Sequence, residues 1–329
     1  MIRGFVLGKF MPLHQGHLAL IRFALTQCDF LTIIVCFTRN EPIEGVIRKQ
    51  WLYEELEGVK NIGIQSFPYD EQDLANTSVS SREVSFKWAG VLKPVVPDAS
   101  LVFTSEPYGE YLAEYMGITH IPFDPLRNKF KVSASAIRND PFLYWDYIAK
   151  AAQPCYVKKI FLLGSESTGK STLTEKLANH FSTCFVPEMA REILEKTTDC
   201  TPAHLLEIAT LHARTIGQKT GLANRLLFID TDITITESYS RYLFKTDLFV
   251  DDWIREANKG DLYFFLEPDC PFVQDGTRLD ETERNNLSIY HKEQLRKKNI
   301  VYISIEGSWE QRLTTMIEII NRQFFPDHA

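Results

Sequence analysis

A chain of 329 residues is long enough for two domains, each with its own core. Its composition, 44% hydrophobic and 24% charged with a net charge of −7, is that of a globular protein and argues against a broad nucleic-acid footprint, which would be basic. No apolar run approaches the roughly 20 residues that span a bilayer, the opening stretch is too short for a signal-peptide core, and six scattered cysteines without metal-site spacing read as reduced thiols of a cytoplasmic protein with no membrane partner.

The first predicted strand, 4–7, runs straight into Gly8-Lys9-Phe10-Met11-Pro12-Leu13-His14-Gln15-Gly16-His17, and a helical pattern follows over 18–27. An HxGH sequence between a strand and a helix suits nucleotidyl transfer. Both reacting partners are anions, so the site must gather negative charge and stabilise more in the transition state. His14 and His17 bracket the start of a helix, whose free N–H groups and dipole favour phosphate. A protonated or hydrogen-bonding imidazole can reach a phosphate oxygen.

Predicted strands at 31–37, 62–67 and 101–104 alternate with amphipathic stretches at 47–57 and 84–92, which is the rhythm of a parallel sheet flanked by helices. Asp124-Pro125-Leu126-Arg127 then leads to Val132-Ser133-Ala134-Ser135-Ala136-Ile137-Arg138. Ser133 and Ser135 can cap a helix start, and Arg138, one turn on, can fork onto phosphates. A compact aromatic helix is expected over 142–148, and the domain boundary near Ala151-Ala152-Gln153-Pro154, giving domains 1–152 and 153–329.

The second half repeats the α/β rhythm, with strands expected at 159–163, 184–186, 226–229, 262–266 and 300–305 and helices at 170–181, 202–224, 283–298 and 309–324. Its first strand ends in Gly164-Ser165-Glu166-Ser167-Thr168-Gly169-Lys170-Ser171-Thr172, a full P-loop pattern. Backbone N–H groups of 164–170 would cradle a β-phosphate, Lys170 would bridge β and γ, and Ser171 would ligate Mg²⁺. Strand 226–229 is followed by Asp230 and Asp232, either of which suits a metal ligand or general base at a strand's carboxyl end; Asp232 also suits a helix cap. Arg278, in Asp275-Gly276-Thr277-Arg278, and Arg284 suit a lid that closes on a transferred phosphoryl group. No guanine-binding NKxD is present, which favours a small-molecule kinase.

The loop with His14, Gly16 and His17 together with Ser133, Ser135 and Arg138 resembles nicotinamide mononucleotide adenylyltransferase, with Val132 and Ser135 as mild departures from its ISxTxxR motif. Over nearly the whole chain the order of segments resembles the bifunctional nicotinamide mononucleotide adenylyltransferase/ribosylnicotinamide kinase family, the NadR family. The matching parts continue through Phe103-Thr104-Ser105-Glu106-Pro107-Tyr108, Pro141-Phe142-Leu143-Tyr144-Trp145, Gly164–Ser171, Pro187-Glu188-Met189-Ala190-Arg191, Ile229–Asp232 and Asp275–Arg278.

The resemblance implies two doubly wound α/β domains, a Rossmann-like nucleotidyltransferase and a P-loop kinase. It implies His17 as the main transition-state stabiliser with His14 assisting, Arg138 on the ATP phosphates, and Lys9 and Arg127 as secondary contacts. Gly8, Phe10 and Gly16 complete that ATP loop, and Glu188 and Arg191 fall in the kinase's acceptor region. Trp88 is the candidate face for the nicotinamide ring. Some relatives place a tryptophan where this chain has Pro187, so either another aromatic, such as Tyr239 or Tyr242, stacks the ring in the kinase domain or binding is weaker.

Expected partners are ATP, nicotinamide riboside, nicotinamide mononucleotide and NAD, with Mg²⁺ as cofactor, no nucleic acid, and a homo-oligomer by resemblance alone. The chain starts at the adenylyltransferase strand, so the helix-turn-helix of some relatives, and the DNA-binding repression that goes with it, is not expected. Two other readings stay open: a kinase–adenylyltransferase for another vitamin nucleotide, and a nucleotide sensor with slow turnover.

Overall fold

The structure is a computed structural model that describes residues 1–75, 80–193, 200–273 and 280–326. The chain divides into two compact units, Met1–Cys155 and Tyr156–Ala329. The expected boundary at 152/153 falls inside a 3₁₀ stretch, Lys150–Tyr156, three residues short of that division.

The first unit is built on β1 (Arg3–Gly8), β2 (Phe30–Phe37), β3 (Ile62–Pro68), β4 (Leu101–Thr104) and β5 (Thr119–Pro122), all parallel, in the order β3-β2-β1-β4-β5. Buried Ile33, Ile34 and Val35 of β2 and Phe5 and Val6 of β1 show why the central strands read as continuous apolar runs: helices cover both faces. Chain order reverses between β1 and β4, so the segment after Gly8 emerges at a topological switch point, where α/β sheets place ligands. The helix α1 (Gln15–Leu25) follows at once. The short β5 escaped the sequence reading; its residues, THIP, are only half-buried or exposed. The aromatic helix expected over 142–148 is a single 3₁₀ turn, Trp145–Tyr147. Asp140 takes up the N–H of Leu143 at 2.9 Å with its side chain, and Phe142 and Trp145 turn into the core.

The second unit repeats the plan with β6 (Lys158–Leu163), β7 (Phe185–Val186), β8 (Leu226–Asp230), β9 (Leu262–Leu266) and β10 (Ile303–Ile305), parallel, in the order β10-β9-β6-β8-β7. The fully buried stretches Ile160–Leu163 and Leu226–Ile229 form its centre. The P-loop leaves β6 at the switch point between β8 and β9 and enters α6 (Lys170–His180). Strand 300–305 is shorter than expected, only its last three residues pairing with β9. Among the described residues no helix is long and apolar enough to cross a membrane.

Candidate active sites

In the first unit His14 caps α1. Its extended backbone (φ −143°, ψ 168°) turns Nδ1 to accept the Gly16 N–H at 3.1 Å, and its carbonyl accepts the N–H of His17 at 2.9 Å. A neutral His14 therefore carries its proton on Nε2. A Cβ on Gly16 would sit 3.0–3.1 Å from that ring, so the small residue inside HxGH lets the imidazole fold over its own helix start. The His14 and His17 rings stack at 3.7 Å, and Phe10, itself at φ 48°, sets its ring on His17 at 5.0 Å.

Burial, helped by the Arg127 charge, pushes His14 down to about 4. Burial, then His14 and Arg127, push His17 well below the ordinary histidine range, and its Nδ1 is buried without a partner. In the ligand-free chain burial thus favours the neutral, hydrogen-bonding imidazole of the two options the sequence left open.

The second motif closes on this loop. Ser133 caps α5 (Ala134–Asn139) by accepting the Ala136 N–H at 3.1 Å. Arg138 donates to the Met11 carbonyl at 2.5 Å and to Ser135 Oγ at 3.0 Å, joining segments 127 residues apart. Arg127 forks to Glu106 Oε1 at 2.6 Å and the Val132 carbonyl at 3.1 Å. Lys9 pairs with Glu41 at 2.8 Å and Glu71 at 2.9 Å; burial works against its charge, but the two carboxylates hold the ammonium above the usual lysine range.

Arg48, which sequence reasoning missed, is fully buried; it bonds the Lys9 carbonyl at 2.6 Å and pairs with Glu41. An arginine in an amphipathic helix (α2, Gly45–Glu55) carries no sequence signal that it turns inward. Trp88 is a correction. It lies in α3 (Arg82–Leu92), 3% exposed, with its indole N–H on the Ala75 carbonyl at 2.9 Å and its ring against Phe67 and Tyr69. A side chain shut into the core in this way offers no open face to a nicotinamide ring.

In the second unit the P-loop backbone passes through φ 141° at Gly164, 56° at Ser167 and 87° at Gly169. Lys170 is buried and donates to the carbonyls of Gly164 at 2.9 Å and Ser165 at 3.0 Å; Thr168 Oγ1 braces the Ser165 carbonyl at 2.9 Å, and Thr172 is exposed on the first turn of α6. Ser165 Oγ is buried without a partner. Glu166 stands close enough to Tyr239 for its charge, after burial, to push that phenol above its ordinary range.

Ser171 Oγ donates to Asp230 Oδ2 at 2.6 Å, and Thr231 Oγ1 donates to Oδ1 at 3.2 Å. Asp230 is wholly buried. Burial, then the negative charge of half-buried Glu188, raise it from 3.8 to about 6 against the pull of Lys170. Asp232 instead caps α9 (Ile233–Phe244), accepting the Ile235 N–H at 2.9 Å; burial raises it to about 6 as well. The catalytic assignment of Asp232 is thereby corrected to a structural one, because its carboxylate is committed to the helix start. Among the described residues no cluster of three or more His, Cys, Asp or Glu side chains is arranged to hold a metal.

Arg284 is also a correction. In α11 (Glu281–Lys297) it is 2% exposed and donates to the carbonyls of Cys270 at 3.2 Å and Pro268 at 3.1 Å, with Phe272 under its guanidinium. It fastens the segment before its helix and is not poised as a mobile lid arginine. Arg278 and the side chain of Arg191 lie outside the described residues; the backbone of Arg191 is in α7 (Ala190–Ile193). Of the two tyrosines, Tyr242 donates to Glu283 Oε2 at 2.6 Å, whereas Tyr239 feels the charges of Glu166, Glu188 and Asp230. Sequence reasoning missed Arg312 in α12 (Trp309–Phe324). It is 1% exposed and donates to the carbonyls of Thr168 at 3.1 Å, Glu267 at 3.0 Å and Gly307 at 2.8 Å.

Known proteins resemble both units. A family model described as an AAA domain matches residues 159–312. The trifunctional NAD biosynthesis/regulator protein NadR of Escherichia coli (strain K12) is 32% identical over 343 residues, which cover 96% of this chain and 82% of that protein. A crystal structure of NadR protein in complex with NR superposes with a TM-score of 0.78 at 21% identity, covering 98% of this chain and 96% of that one. Another, of NadR protein in complex with NAD and AMP-PNP, superposes at 0.77 with 22% identity over 98% and 95% of the two chains.

Proposed function

The chain belongs to the NadR family of NAD biosynthesis, and from that premise we propose that it is a bifunctional salvage enzyme: its second unit phosphorylates nicotinamide riboside and its first converts the mononucleotide to NAD. The observation that carries the reading is the presence of two phosphate-suited loops on one chain, each at the carboxyl end of the central strand of its own parallel sheet.

In the kinase unit the N–H groups of 164–170 receive the phosphates of ATP, and Lys170 leaves the carbonyls of Gly164 and Ser165 for phosphate oxygens. Ser171 and Asp230 fit Mg²⁺: both offer hard oxygen donors, and a cation relieves the repulsion between Asp230 and Glu188. Held by Ser171 and Asp230, such an ion would supply charge neutralisation to the transferred phosphate. Glu188 then orients the riboside and takes the proton of its 5′-hydroxyl, while that oxygen bonds to the γ-phosphorus and ADP leaves. Tyr239 feels the charges of both carboxylates, which supports it over Tyr242 as the aromatic bordering the acceptor.

In the adenylyltransferase unit a phosphate oxygen of the mononucleotide attacks the α-phosphorus of a second ATP. The bond to the β-phosphate breaks and pyrophosphate departs, without a covalent enzyme intermediate. His17 and His14, both neutral, donate to the oxygens on which charge grows. Arg138 exchanges the Met11 carbonyl for the departing phosphates. The first unit's acceptor is the second unit's product, which gives the fusion a chemical reason. Six unpaired cysteines fit a reducing, cytoplasmic setting.

Chromatographic product analysis tests the proposal. With ATP and Mg²⁺, nicotinamide riboside should yield mononucleotide and NAD, and mononucleotide alone should yield NAD. His17→Ala should abolish NAD and spare riboside phosphorylation, and Lys170→Ala should do the reverse. Either substitution stopping both reactions in folded protein would sink the assignment of one reaction to each unit.

A further inference from the structure

Trp309 stands at the P-loop without a role in the mechanism above. It is 44% exposed, yet its six-membered ring occupies the space over Gly169, where a Cβ would collide with Cη2 and Cζ3. The mount is rigid. Ser308 and Gln311 form a reciprocal cap at the start of α12, and Arg312, one turn on, ties that turn to the P-loop through the Thr168 carbonyl and to the end of β9 through the Glu267 carbonyl, while also bonding the Gly307 carbonyl before its own helix. Two exposed large apolar residues are recorded against the P-loop. One is Val273, whose N–H bonds Ser167 Oγ at 3.0 Å; the other, Trp309, is aromatic.

Sheet order separates Trp309 from the acceptor. Asp230 and Glu188 lie at the ends of β8 and β7, on one side of the central strand β6, whereas Trp309 follows β10, on the other. A nucleotide whose phosphates fill the loop between them must direct its base away from the acceptor carboxylates. We propose that the indole of Trp309 is the stacking platform for the purine of the nucleotide donor at the P-loop. A fixed, half-exposed aromatic face binds a base with little ordering cost and tolerates different bases, since each has a π-face.

The inference rests on reading 164–171 as a nucleotide cradle. Its test uses the full chain with Trp309→Ala and Trp309→Phe. Riboside phosphorylation is followed as mononucleotide plus NAD at varied ATP, with ADP and inorganic tripolyphosphate as competitive inhibitors. Alanine should raise the KM for ATP and the inhibition constant of ADP about 10-fold or more, and phenylalanine should stay within about 3-fold of wild type. Tripolyphosphate, which has no base, should inhibit equally in all three proteins, and this also shows that the loop is folded. An unchanged KM, or tripolyphosphate weakened by the same factor as ADP, would overturn the proposal, because the ring would then only shore up the loop. If the wild type phosphorylates no riboside, the kinase reading fails by itself, and ADP titration decides the platform. Quenching of tryptophan fluorescence lost in Trp309→Phe supports it; quenching retained overturns it.

Discussion

Asp230→Asn should make the ligand-free protein more stable at pH 8 while stopping riboside phosphorylation. Asp230 is fully buried, and its carboxyl is held at about 6 against an ordinary 3.8. A carboxyl raised in the folded state favours folding most below the unfolded value and loses that advantage as pH rises from about 4 through 6. Above that window the folded state carries a cost of about 3 kcal/mol for ionising this group. Asparagine removes the charge and keeps an oxygen for Ser171 Oγ. It loses the bond from Thr231, worth about 1 kcal/mol. The net gain at pH 8 is about 2 kcal/mol, or roughly 4–8 °C in the melting of a unit of this size. Scanning calorimetry of wild type and variant, with chelator and no nucleotide, at pH 4 and pH 8 reads the difference. The gain should be present at pH 8 and absent or reversed at pH 4. A variant less stable than wild type at pH 8, or a difference that ignores pH, would refute the reading of Asp230 as a carboxylate kept under repulsion for a cation.

Arg284→Met should lower stability by about 2–3 kcal/mol, since two carbonyls and a buried cation site lose their partner, while kcat for phosphorylation at 15 °C changes less than about 3-fold; a fall of about 10³-fold in kcat would restore the lid role. Trp88→Phe should cost about 1–3 kcal/mol in a melt and leave the KM for mononucleotide unchanged, whereas a tenfold KM increase would show that the core ring reaches substrate after all. His14, held at about 4, supplies stability that is full above about 6.5 and is lost as pH falls towards 4. His14→Asn should therefore flatten that limb of the acid-unfolding curve, and an unaltered limb would contradict the buried neutral state.

Both loops were legible because their chemistry is local. HxGH needs a glycine where the His14 ring folds back, and the P-loop needs Gly164 and Gly169 at positive φ; a sequence records such demands directly. What escaped is what depends on distance. Arg138 meets Met11 across 127 residues, and Arg48 and Arg312 turn inward from amphipathic helices where an arginine reads as part of the solvated face. The sequence offered both Asp230 and Asp232 for catalysis and a helix cap as an alternative for Asp232, and only the approach of Ser171 to one and the Ile235 N–H to the other separates them. Trp88 failed for a related reason: an aromatic on an amphipathic helix shows the same spacing whether it closes a core or borders a cavity.

The cations aimed at phosphate share one condition, which bears on how a chain of net charge −7 binds polyanions. Lys9 rests on Glu41 and Glu71, Arg127 on Glu106, Arg138 on Met11 and Ser135, and Lys170 on two carbonyls of its own loop. Each is held in place before ATP arrives, so little side-chain entropy remains to be lost on binding. The partners differ in what they give up. Lys170 and Arg138 surrender neutral acceptors and gain charged ones, which favours exchange. Lys9 would have to leave two carboxylates that already hold its charge, so it serves better as an anchor for the loop than as a phosphate ligand. On the proposed reading, phosphate recognition in both units then falls mainly to backbone N–H groups, imidazoles and the two cations with neutral partners.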